Sequence, residues 1–62
     1  MTITMPDIRA AKMCSKGARA FFDRHGLDWD DFLKRGVDAD KLTATGDAMA
    51  IEVVRVAYER RR

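Results

Sequence analysis

The sequence predicts an all-α fold: a small compact orthogonal four-helix domain with two long and two short helices, residues 1–62 forming a single helical domain. Three observations predict it. A corner motif occurs twice, as Arg24-His25-Gly26-Leu27-Asp28 and Lys34-Arg35-Gly36-Val37-Asp38. In each copy the basic pair suits the negative end of a helix. The Gly takes the left-handed position past that end, and the apolar residue folds back onto the last turn. The Asp caps the next helix. Thr45-Gly46-Asp47 is a weaker version. The second observation is that the segments between corners carry apolar residues at helical spacing. The third is the last segment, where only Glu52, Arg55 and Glu59 interrupt an otherwise apolar wheel.

Residues 1–3 are expected to be a short extended tail. Thr4 is the expected N-cap of helix 1, with Pro6 and Asp7 in its first turn. That helix is expected to run unbroken to about Arg24, with Ile8, Ala11, Ala18 and Phe22 as its stripe, interrupted at Ser15 and widened by Cys14 and Phe21. Gly17 is unfavourable in a helix interior, and a closely crossing second helix is the expected reason. Helix 2 spans about Trp29 to Arg35, capped by Asp28, with Trp29, Phe32 and Leu33 on its buried edge. Helix 3, about Ala39 to Ala44 after an Asp38 cap, has Leu42 as its one large apolar residue. Helix 4 follows Asp47 and ends near Arg60. Its apolar arc far exceeds the roughly 100° of a surface helix. Either it is central and wrapped by the others, or part of it is a contact surface. The expected core is Ile8, Ala11, Phe21, Phe22, Leu27, Trp29, Phe32, Leu33, Val37, Leu42, Ile51, Val54 and Tyr58.

Composition narrows the function classes. A chain of 62 residues buries only about 60% of its unfolded surface and is marginal alone. The 47% apolar content includes nine alanines, so the bulky part of the core is small. One cysteine excludes an internal disulfide, and no Cys/His group has zinc-ligand spacing. The net charge of +2 is weak evidence for a nucleic-acid partner. No apolar run is long enough to span a membrane, and the N-terminus has no signal-peptide pattern. With a lone thiol, these features point to the cytoplasm.

Each chemical candidate has a structural alternative. Arg9, Lys12, Lys16 and Arg19 form a basic ridge on helix 1, and with Arg60, Arg61 and Arg62 they are the candidate nucleic-acid contacts. The plainer reading is a solvated outer face, since no aromatic residue interleaves the ridge for base stacking. A DNA-reading helix is disfavoured because the helices after Gly26 and Gly36 begin with carboxylates. Asp28, Asp30 and Asp31 lack the Gly and distal Glu of a calcium loop. Asp38 and Asp40 also fail, with Thr43 and Met49 in those two places. No metal and no cofactor is expected. Cys14 and His25 would be about 16 Å apart along one helix, too far to act as nucleophile and base. No catalytic residue is expected, and the chain reads as a non-enzyme. The candidate protein-contact residues are Trp29, Met49, Val53, Val56 and Arg60.

The stretch from Ala18 to Trp29, then Phe32 to Leu42 and Ala44 to Ala48, together with Ile8-Arg9-Ala10-Ala11, resembles small uncharacterised proteins of tailed bacteriophages and prophages. That resemblance transfers no site residues. It implies a phage or prophage product in a bacterial host's cytoplasm. The expected function is then a protein-binding module, a phage accessory protein docking on a host factor, as an inhibitor would, or on a phage assembly component. The alternative is a small basic helical protein associated with nucleic acid. Self-association through helix 4 is compatible with either.

Overall fold

The computed structural model describes residues 1–61. The elements in chain order are β1 (Thr2–Ile3), α1 (Met5–Ala10), α2 (Ser15–Arg24), α3 (Trp29–Arg35), β2 (Val37–Asp38), α4 (Ala39–Ala44) and α5 (Ala48–Arg60). The described chain is mostly helical. It departs from the expected orthogonal four-helix domain in having five helices and a small antiparallel sheet.

The extra helix arises because the expected first helix breaks at residues 11–14. Lys12 adopts a left-handed backbone, φ 62°. Its N–H donates to the Arg9 carbonyl at 2.9 Å, and the Met13 N–H donates to the Ile8 carbonyl at 3.2 Å. This pair of bonds is a Schellman ending with lysine in the glycine position. Met13 then folds back onto the core that holds Ile8. Cys14 starts the next helix, its Sγ accepting the Gly17 N–H at 3.3 Å. That also corrects the reason for Gly17. A Cβ there would approach Cys14 Sγ at 3.4 Å and no second helix.

The N-terminal tail is extended, as expected, but it is pinned. Thr2 and Ile3 pair with Asp38 and Val37, and the Ala39 N–H donates to the Met1 carbonyl at 2.8 Å. Ile3 is fully buried. This pairing makes the two corner motifs unlike. Gly26 follows the expected pattern, with φ 67° and the Leu27 N–H donating to the Phe22 carbonyl at 2.8 Å. Gly36 has φ 80° and ψ −174°, turning the chain into β2 rather than back over α3. A Cβ on Gly36 would lie 2.5 Å from Thr2 Cγ2 and 2.7 Å from the Ile3 carbonyl oxygen. Only glycine lets β1 approach this closely.

The expected caps form at Asp28, Asp38 and Asp47, whose carboxylates accept the N–H groups of Asp31, Asp40 and Met49. The core centres on Phe22, with Trp29 edge-on at 5.3 Å and Phe32 at 4.7 Å between ring centres. Ile8, Phe21, Phe32 and Leu42 are buried as expected. Leu33, Ile51 and Tyr58, assigned to the core from sequence, are instead exposed. The face that α5 buries is Ala50, Val53 and Ala57.

The same side of α5 is engaged at its far end. Asp7 is fully buried, and its carboxylate accepts from Arg60 Nη1 and Arg61 Nη2, each at 2.7 Å. It also accepts the Thr4 N–H at 2.9 Å. On a wheel of about 100° per residue, the bisector of Arg60 and Arg61 coincides with the centre of the Ala50–Val53–Ala57 face. Two arginines on that side of α5 thus reach one carboxylate on α1, joining the last turn of α5 to the first helix. At the other end of α5, Arg24 Nη2 lies 3.6 Å from the Asp47 carboxylate. This pair is largely solvent-exposed, unlike the buried carboxylate at the other end.

Candidate functional site

With α5 held in this rotation, its wide apolar arc is only partly covered. Ile51 is 48% exposed and Tyr58 62%, with Val54 half-buried between them. At spacings of three and four residues they form one stripe, all within about 60° of wheel. Met49, on the opposite edge of the buried face, is 41% exposed. Beside the stripe runs a charged row, Glu52, Arg55 and Glu59. Arg55 Nε and Nη2 donate to the two Glu52 oxygens at 2.9 and 2.8 Å. This fork holds the Glu52 carboxyl below its ordinary pKa and raises that of Arg55. Apolar stripe and paired charges lie side by side on the exposed part of α5.

The residues singled out from sequence fall in several places. Val53 lies in the core at 3% exposed, and Val56 is half-buried. Trp29 is half-buried, its ring 5.3 Å from that of Phe32 as well as Phe22. Arg60 is committed to Asp7. So is Arg61, while Arg62 lies outside the described residues. Arg9 sits at the end of α1 and Lys12 in the turn, so the basic ridge is split between two helices and a corner. All four ridge residues are exposed, and none enters an ion pair with another described residue. Lys16 and Arg19 share an open groove of about 550 Å³ with Asp23, Asp28, Trp29 and Asp30. That groove unites three sequence candidates, but its mixed charges leave it without a clear sign preference.

Ile51 and Tyr58, exposed on α5, read as core from sequence because bulky aliphatic and aromatic side chains usually are.

Cys14 and His25 cap opposite ends of α2. A small, partly open apolar pocket of about 20 Å³ is lined by side chains including Ile8, Met13, Phe21 and Met49. Among the described residues, no group of His, Cys, Asp or Glu is arranged to hold a metal ion, and no helix is long and apolar enough to cross a membrane. No family model, no curated protein and no solved structure matches the chain.

Proposed function

We propose that this chain is a non-enzymatic protein-binding module whose contact surface is the outer edge of α5. The observation that carries this reading is the exposed stripe of Ile51, Val54 and Tyr58 on a helix whose last turn is anchored to Asp7 of α1. A rigid helix presenting an aromatic and an aliphatic anchor loses little entropy on docking. The resemblance of residues 18–48 to small tailed-phage proteins suggests the setting: a phage accessory protein in a bacterial cytoplasm, acting on a host factor or an assembly component.

A second reading has one observation in its favour. Arg9, Lys12, Lys16 and Arg19 are exposed and unpaired among the described residues, as phosphate contacts would be. It loses strength because Arg60 and Arg61 are engaged by Asp7.

One experiment separates the two. Immobilised protein is used to capture partners from bacterial lysate, alongside Ile51→Glu, Tyr58→Glu and the double variant Lys12→Glu/Lys16→Glu. A partner lost with Ile51→Glu and Tyr58→Glu but kept by the lysine double variant supports the α5 surface. The reverse pattern, with nucleic acid released as salt rises, would replace it with the basic residues.

A further inference from the structure

We propose that residues 1–11 form an exchangeable arm. The break at residues 11–14 opens into continuous helix, and the arm of each chain takes its place on the body of a second copy. The proposal is independent of the exposed edge of α5. It rests on where the arm docks and on what holds the break.

The arm's main partners lie far along the chain. Thr2 and Ile3 pair with Asp38 and Val37, and the Met1 carbonyl accepts the Ala39 N–H. Ile3 is fully buried. α1 packs chiefly on α5, where Asp7 receives Arg60 and Arg61. None of these contacts depends on which chain supplies the arm. A second copy can make every one of them, which is the condition for exchanging an element between protomers.

The break that keeps the arm on its own body is weakly held. Lys12 has φ 62°, a backbone that costs lysine more than glycine. The cap that starts α2 is a thiol, Cys14 Sγ on the Gly17 N–H at 3.3 Å, a weaker acceptor than a carboxylate or hydroxyl. Lys12 and Cys14 are exposed, and within residues 11–14 only Ala11 and Met13 rest on the core. The same stretch carries a helical pattern, its apolar stripe passing from Ile8 through Ala11 to Ala18 and Phe22. Straightened, residues 5–24 make a helix about 30 Å long, with Met5 about 15 Å beyond Ser15 along the axis. At that reach the arm leaves its own α5 and is presented to another molecule. Opening removes the left-handed residue and gives up the fold-back of Met13, while the arm's own burial is kept. A short, strained hinge of this kind invites exchange, and concentration drives it by mass action.

The test is to unfold the chain in guanidinium and refold it under reducing conditions at about 10 μM and about 1 mM, reading mass by sedimentation velocity. Wild type should be monomeric at the lower concentration and partly dimeric at the higher. In dimer refolded from equal parts of isotope-labelled and unlabelled chain, filtered nuclear Overhauser contacts should join Ile3 of one chain to Val37 of the other. Lys12→Gly eases the left-handed turn and weakens the open helix in both chains, so it should lower the dimer-to-monomer equilibrium by about 100-fold. Cys14→Ala removes the cap of the closed form and favours the open helix, so it should raise that equilibrium. Wild type and Cys14→Ala both staying monomeric at the higher concentration overturns the proposal. So does a dimer whose Ile3–Val37 contacts stay within one chain, as pairing through α5 would give, or a Lys12→Gly variant that dimerises as wild type does.

Discussion

Replacing Asp7 by Asn tests whether the buried carboxylate sets the position of α5. Asn keeps the volume but removes the charge, and its amide points donors at guanidinium donors. Asp7 is fully buried, whereas the Arg60 and Arg61 side chains are 43% and 41% exposed. Breaking a fully buried pair costs about 3–5 kcal/mol. Here the arginines can turn to water, so the expected loss is that of one or two charge-assisted hydrogen bonds, about 2–3 kcal/mol. A domain of this length has roughly 3–9 kcal/mol in total. The loss should lower the melting temperature by about 10–20 °C, read by far-UV circular dichroism. Amide exchange in the last turn of α5 should speed up together with that of α1. The double variant Arg60→Gln/Arg61→Gln should lose a similar amount, and adding Asp7→Asn to it should cost little more. An Asp7→Asn protein melting within about 3 °C of wild type would refute the reasoning, since so small a shift is below 1 kcal/mol for a domain of this size.

Three further outcomes follow from local geometry. Lys12→Gly should stabilise by up to about 1 kcal/mol in thermal melts, because φ 62° is left-handed and glycine adopts it without strain. Gly26→Ala and Gly36→Ala should differ. The first meets open space and costs only the left-handed backbone, about 1–2 kcal/mol, while the second must also push β1 away and should cost more in denaturant titration. Carboxyl NMR should find Glu52 titrating below the ordinary glutamate value, and Arg55→Gln should return it toward that value. A lowered folded pKa means the pair's contribution is present above the ordinary carboxylate range and is lost as pH falls through the folded value.

Much of the local structure was legible because it depends on neighbours in sequence. The aspartate caps at 28, 38 and 47 and the glycine ending at Gly26 need only a helix terminus and the adjacent residues. The bounds of α3, α4 and α5 follow from those signals. The break at Lys12 was not legible, because lysine gives no sign of a left-handed backbone. What selects the break is the fold-back of Met13 onto the core beside Ile8, which residues 8–16 alone do not reveal.

The sequence by itself determined a mostly helical chain, its corners, and an α5 whose apolar arc is too wide for one buried face. Only the tertiary structure decided which part of that arc is covered. Sequence reading placed Ile51, Val54 and Tyr58 in the core, yet the face that the fold buries is Ala50, Val53 and Ala57. Small alanines on that face present little bulk to the core, and two arginines on the same side reach a carboxylate over fifty residues away. Likewise Gly36 looked like a second Gly26 until Thr2 and Ile3 came to lie against it. Both outcomes are set by contacts between distant segments, which local spacing does not encode.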